Sequence, residues 1–380
     1  MKKLCVLLSI ITAMVICSAP AFCVEFNEEA CSLYLMDMES GTVIYNRDSH
    51  IYTNISGLNK LMGVALVLEA IKDGRLKPSD EVIVSESIRG VGGATAFLEV
   101  GAAYSVEELL KAVATNNAND AMIALSEKVY GSVDAFVEKM NLKAQELGLI
   151  GTSFTNVTGF EDESQLSTAE DVAALSAYVI SLDGYTKYCN EYMYELQHPS
   201  GRKTEIVNTN RLIKTYDACD GLMSGSDRNK NYSVAATGKK GDMRLIAVVL
   251  NAPNSDVRNS TARQMLEYGF TNYTSKRVYS KGEEMFSDFK LPSGDKKLSA
   301  SIEKELKVVL EKGTEKGVEK SFYIKEDILP PVKEGDVVGE AYALLDGQII
   351  GTVNIVADFS VEKLTMKKCC KNIMEYWIGA

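Results

Sequence analysis

Histidine is scarce in this chain of 380 residues, where His50 and His198 are the only two. That excludes a multi-histidine metal site, and neither residue sits in an HxxxH or HxH spacing, so no metal is expected. A Ser-His-Asp triad needs only one histidine and survives the count. Runs of basic residues are also missing: no five Lys or Arg occur together, and 52 Asp and Glu outnumber 41 Lys and Arg, a net charge of −11. Duplex binding rests on neutralising phosphates, so no nucleic acid is expected as a partner. The acidic surface reads as a solvated face that names no partner. Nor is there a disulfide framework. Of eight cysteines, Cys5, Cys17 and Cys23 lie in or beside a leader, which leaves the odd set Cys31, Cys189, Cys219, Cys369 and Cys370. Cys189 and Cys219 form one candidate bridge; otherwise they are two small hydrophobes. What is present is a 46% apolar content, ample for a core, and a length that suggests two domains.

Met1-Lys2-Lys3, the apolar run Leu4 to Cys17, and Ala19-Pro20-Ala21 read as the n-region, h-region and cleavage site of a secretory signal peptide over residues 1–23. The run is short for a membrane span. Cleavage removes Lys2 and Lys3, so 39 basic residues face 52 acidic ones and the net charge becomes −13. The expected compartment is extracytoplasmic, in the cell envelope.

Cys31 to Asp37 and Thr42 to Tyr45 predict two strands around Ser40-Gly41. Gly57 to Ile71 is nearly all apolar and predicts a buried helix. Helical spacing recurs over 109–114, 118–129, 133–147 and 169–180. Tyr232 to Thr237 and Arg244 to Leu250 predict a hairpin across Gly238 to Gly241, followed by a helix from Val257 to Tyr268 that ends near Gly269. The pattern predicts an α/β (α+β) layer fold with a helical insertion over residues 24–272. Short β-like runs then indicate a small all-β domain, 273–360. The tail, 361–380, sets Lys367, Lys368 and Lys371 beside Ile373, Met374, Trp377 and Ile378. Such a basic amphipathic helix can lie on a membrane surface, or dock on its own domain.

One charge is out of place. Between Asn54 and Glu69 the only ionisable residue is Lys60, in the first turn of the buried helix. Desolvation there disfavours the cation and makes a base near neutral pH; the other reading is a lysine that snorkels to solvent. His50, in a polar stretch, and His198, in a His-Pro-Ser-Gly turn, are both expected to be exposed.

The strings around Lys60 continue in order through Gly92-Gly93, Tyr104-Ser105-Val106, Asn119-Asp120-Ala121, Asn208-Thr209-Asn210 and Asp220-Gly221-Leu222, with Val332-Lys333 and Gly335-Asp336 later. This framework resembles the serine D-alanyl-D-alanine carboxypeptidases, the low-molecular-mass penicillin-binding proteins of peptidase family S11. The resemblance implies a β-lactamase/DD-peptidase-like domain with a small β domain behind it, and peptidoglycan stem peptides as ligands without any cofactor. It implies three motifs: Ser-x-x-Lys, Ser-x-Asn and Lys-Thr-Gly.

Here those motifs are degenerate. Lys60 keeps the family base, but the nucleophile position is Gly57; Asn117-Ala118-Asn119 keeps Asn119 and replaces the serine by Asn117. Lys-Thr-Gly becomes Met223-Ser224-Gly225, and a thioether cannot make the charge-assisted bond of a lysine. Ser56, four residues before Lys60, is the alternative nucleophile for an active carboxypeptidase. The expectation is a pseudoenzyme of the envelope that binds peptidoglycan or a partner. Its pocket either docks a carboxylate at the Gly57 N–H or is filled by Met223 and its neighbours.

Overall fold

The computed structural model describes Phe26, Ala30, residues 32–182, 184–366 and Cys370. The leader, Cys31, Cys369 and the amphipathic residues of the tail lie outside the described residues. Among those described, no helix is long and apolar enough to cross a membrane.

Strands β1 (Ser32–Asp37) and β2 (Val43–Arg47) form the expected hairpin. The regular part of the buried helix, α1 (Lys60–Lys72), follows a single 3-10 turn over Ser56–Asn59, so Gly57 stands just ahead of the helix and not within it. Ten of its thirteen residues are buried, Lys60 among them, as a helix apolar on every side requires. Next come β3 (Glu81–Ile83) and β4 (Ala103–Ser105), a short hairpin, and the helices α2 (Val106–Asn116), α3 (Asn119–Tyr130) and α4 (Val133–Glu146). Ser105 and Glu108 build a full capping box on α2. Asn117 ends that helix in the left-handed region at φ 61°.

Helices α5 (Ala169–Ser181) and α6 (Tyr185–Cys189) lead to the hairpin β5 (Met193–Gln197) and β6 (Lys203–Val207) and the one-turn α7 (Leu212–Thr215). Then β7 (Cys219–Ser226), β8 (Tyr232–Lys240) and β9 (Met243–Ala252) complete a five-stranded antiparallel sheet in the order β2-β1-β9-β8-β7. The β8–β9 strands run longer than expected, and their turn shrinks to Gly241-Asp242, with Gly241 at φ 59°.

Strand β9 is apolar on both faces because each face meets a helical layer. Ile246, Val248 and Leu250 join the core built on α1 to α5, while Leu245, Ala247 and Val249 pack under the last long helix. That helix, α8 (Ser255–Asn272), starts at its cap Asn254, whose Oδ1 accepts from the N–H of Asp256 and Val257, and it runs through Gly269. Gly269 does not stop the helix: a side chain there would lie 2.4 Å from Leu245 Cδ1, so it is the point of close helix–sheet approach. From Tyr273 the chain is β. Strands β10 (Tyr273–Tyr279), β11 (Glu284–Phe289), β12 (Leu298–Ile302), β13 (Leu306–Glu311), β14 (Val318–Ile324), β15 (Val337–Leu345) and β16 (Gln348–Ala357) form the β10-β13 ribbon and the sheet β11-β12-β16-β15-β14. They enclose a core of their own.

Two expectations change. Cys189 and Cys219 are free thiols; each Sγ meets a backbone carbonyl, Asp220 O at 3.4 Å and Gly221 O at 3.2 Å respectively. Burial raises both pKa values. His198 is buried at 4% exposure, unlike His50, whose side chain is exposed and pairs with Glu170 at 2.8 Å. The backbone turn at Pro199 does reach the surface, but the imidazole folds inward, with Nδ1 2.7 Å from the Tyr104 hydroxyl and Nε2 2.7 Å from Thr204 Oγ1.

Burial, then the nearby Arg202 guanidinium, holds the His198 pKa below its ordinary value. The folded state therefore favours neutral imidazole, and stability falls as the pH drops from about 6.5, where the unfolded chain takes up the proton, towards the lower folded pKa. Urea midpoints measured from about pH 7.5 to about pH 5 should decline, and His198→Gln should flatten that decline. An identical slope in the variant would refute the assignment.

Candidate functional site

The 3-10 turn, the α2–α3 junction and strand β7 meet at one place. Glycine at 57 and at 225 allows the meeting. A side chain at Gly225 would stand 2.8 Å from Gly57 N, so β7 lies directly on the backbone of the turn. A side chain at Gly57 would stand 2.1 Å from Asn117 Nδ2 and 2.8 Å from Asn117 Cγ. The space over Gly57 is therefore taken by the amide of Asn117, which donates to Ser224 O at 3.0 Å.

Beside this contact a cleft of about 680 Å³ opens, with Gly57, Lys60, Asn119 and Phe160 on its lining and Thr209 and Arg258 beyond them. Lys60 is 1% exposed and donates through Nζ to Thr158 O at 2.5 Å. With no carboxylate to pair it, burial lowers its pKa to about 7. The lysine is desolvated, and the snorkelling alternative is not what the fold adopts. Asn119 ties down the opposite wall: its N–H donates to Ala94 O and its Nδ2 to Gly92 O, both at 2.8 Å.

Ser56 does not join Lys60. It sits at φ 51° with its N–H on Asn54 Oδ1 (2.7 Å), and its buried hydroxyl has no hydrogen-bond partner and does not line the cleft. Its Cβ lies under Gly225. Met223 is likewise outside the cleft: it is 1% exposed and belongs to the core packed around α1, so it does not fill the pocket. Ser224 and Gly225 do line the cleft. The Ser224 carbonyl accepts from Asn117 and from Thr209 Oγ1 (3.2 Å), while its buried hydroxyl is without a partner. The side-chain oxygens of Asn117 and Asn119 are buried and unpaired too.

The residue that sequence reasoning missed is Arg258, in the first turns of α8. It is 5% exposed and lines the cleft; its Nε donates to Asn259 Oδ1 at 3.1 Å, and its terminal nitrogens make longer contacts to Gly225 O at 3.4 Å and Thr209 O at 3.3 Å. Burial, then the Arg211 charge, lowers its pKa to about 10. Lys60, Arg211 and Arg258 are the charged residues of the lining, which holds no carboxylate among the described residues. A cleft with two buried cations, orphaned acceptors and the Gly57 N–H before a helix is suited to an amide-bearing carboxylate. No motif marks Arg258; in the sequence it is one cation between Val257 and Asn259 near the start of a helix.

Residues 16–254 match the family described as D-alanyl-D-alanine carboxypeptidase. The chain belongs to that family. Residues 273–363 match the C-terminal domain of penicillin-binding protein 5. The D-alanyl-D-alanine carboxypeptidase DacF of Bacillus subtilis is 33% identical over 355 residues, 93% of this chain and 91% of that protein. DacC of Escherichia coli is 30% identical over 357 residues, covering 90% and 88%. In structure, the chain resembles penicillin-binding protein 5 from Haemophilus influenzae with a TM-score of 0.81 at 27% identity, over 90% of this chain and 99% of that one. The family matches thus run through most of the chain, and Gly57, Asn117 and Met223 lie within the stretch matched to the carboxypeptidase family.

A lysine buried with a lowered pKa costs stability while its folded form must carry the charge, and the cost shrinks with rising pH wherever the unfolded chain is protonated and the folded chain is not. The cost is complete below about pH 7 and disappears as the pH rises towards the ordinary lysine value. Wild-type stability should therefore rise between about pH 7 and about pH 9, by something on the order of 2 kcal/mol. Lys60→Met should remove that rise and stabilise the protein at pH 7; chemical denaturation of both proteins across this range is the check, and parallel curves would contradict the burial argument.

Proposed function

We propose that this carboxypeptidase-family protein binds the D-alanyl-D-alanine end of peptidoglycan stem peptides without hydrolysing it. The carrying observation is the Asn117 amide over Gly57: the chain has no nucleophile at that position, and the volume a serine side chain would need is occupied. Removing a covalent nucleophile leaves only the acceleration from binding and oxyanion contacts. Lys60 keeps the properties of a base but has no hydroxyl to act on.

What remains supports binding. The terminal carboxylate of a peptide would face Arg258, with Ser224 Oγ as a second donor, and the preceding carbonyl would face the Gly57 N–H. Peptide N–H groups would meet the unpaired oxygens of Asn117 and Asn119. The leader reading puts the protein outside the cytoplasm, in the cell envelope, and the basic tail gives it a means of holding a membrane surface.

Purified protein should release no D-alanine from a D-alanyl-D-alanine peptide and should form no stoichiometric ester with a labelled penicillin. It should bind the uncut peptide in calorimetry, and Arg258→Gln should weaken that binding roughly 10- to 100-fold. Measurable turnover, or a covalent adduct at Ser56, would overturn the proposal.

The three substitutions should also be coupled. Gly57→Ser alone should not restore penicillin labelling and should destabilise the fold by about 1–3 kcal/mol, since its Cβ has no room beside Asn117. Gly57→Ser combined with Asn117→Ser and Met223→Lys should regain labelling. Full labelling by the single Gly57→Ser variant would show that Asn117 is no obstacle.

A further inference from the structure

The loop from Gly92 to Gly101 begins in the cleft wall and carries a backbone outlier. Phe97 has φ 57°, the left-handed region that a bulky side chain adopts only under strain, and its ring is 62% exposed. The strain is held by unusually many bonds. The buried carboxylate of Asp120 accepts from the N–H groups on either side, Ala96 at 2.9 Å and Leu98 at 3.0 Å. Arg202 donates to Phe97 O, the Glu99 N–H donates to the Tyr104 hydroxyl at 3.2 Å, and Asn116 Nδ2 donates to Thr95 O at 3.0 Å. The scaffold thus fixes an aromatic ring in solvent, where burial returns nothing.

The side chains tied to this loop are polar: Arg202 meets Glu99 at 3.4 Å, and Ser200 donates to Glu99 from the tip of the β5–β6 hairpin. A rigid aromatic face flanked by a guanidinium, a carboxylate and a hydroxyl matches a sugar ring, whose C–H face lies on the electron-rich ring while its hydroxyls bond to the polar groups. The location fits as well. Ala94 lines the cleft and Phe97 is three residues on, a distance of at most about 10 Å along the chain. A pentapeptide spans at most about 17 Å, so one anchored by its carboxylate near Arg258 leaves the cleft with its N-terminal, sugar-bearing end.

We propose that Phe97 is the platform of a sugar subsite that receives the glycan unit to which a stem peptide is attached. The inference rests on the peptide-binding reading of the cleft. Its test compares two probes on the full protein: a free pentapeptide ending in D-alanyl-D-alanine, and the same pentapeptide carried on its disaccharide. Wild type should bind the disaccharide form about 5- to 20-fold more tightly, and Phe97→Ala should erase that preference while leaving the affinity for the free peptide unchanged. Phe97→Gly should lose the preference as well and, by relieving the left-handed strain, raise Tm by about 2–4 °C.

Equal affinity of wild type for the two probes, or an undiminished preference in Phe97→Ala, would overturn the sugar subsite and leave the peptide reading standing. A fall in Tm for Phe97→Gly would make the ring a structural element and overturn it too. Failure of both probes to bind would remove the peptide reading, and this inference with it.

Discussion

The contact between the Asn117 amide and the bare backbone of Gly57 governs the rest of the site. The Nδ2 lies 2.1 Å from the place a Cβ of residue 57 would occupy, so any side chain there must displace the Asn117 amide from its bond to Ser224 O. A glycine at 57 without Asn117 would leave a void between the turn and β7. The amide also takes over a structural duty, since its bond to Ser224 O fastens the α2–α3 junction to the strand that forms the cleft's far wall. Met223, the position at which the resemblance implies a lysine, puts an adaptable apolar chain in the core.

Retaining Lys60 is the costlier choice. A buried lysine with one carbonyl partner destabilises the fold, and a methionine in that helix would pack as well. The lysine holds the Thr158 carbonyl, and Thr158 begins the turn in which Gly159, at φ +80°, passes so close to Ser56 O that a Cβ would lie 2.3 Å away. The same ammonium contributes positive potential to the cleft floor. These two roles, positioning and charge, do not depend on proton transfer.

Much of this was legible from residue order. Lys60 stands out by its isolation in an apolar run and Asn119 and Gly225 by the family resemblance, and the fold brings all three to one cleft; the alternation of apolar residues located the sheet and its helical cover. Burial set by side-chain direction was less so. His198 sits in a turn that is exposed as backbone, while its ring bonds inward to Tyr104, a partner 94 residues away. Gly269 looked like a helix stop but is a packing notch against Leu245. Arg258 has no sequence signature because its role comes from lying across β7 and the Thr209 segment, which only the tertiary fold brings together. Likewise the resemblance implies a serine at position 117, but nothing in the sequence says that the Asn117 amide occupies the space over Gly57.

A cleft that binds nothing tends to close, because apolar side chains that fill it gain burial energy with nothing to oppose them. This one has stayed open at about 680 Å³, with three cations and no carboxylate on its lining in a chain whose net charge is −11. Cations gathered in a low-dielectric cleft of an acidic protein focus attraction for an anion at one spot and repel it elsewhere. Arg258, at 5% exposure, rests on the Asn259 amide oxygen and two carbonyls with no carboxylate on the cleft lining among the described residues, which is unfavourable in the empty state and is repaid when a carboxylate arrives. The Asn117 contact occupies the space over Gly57, whereas the charge pattern and the open volume are what a binding site for an anion requires.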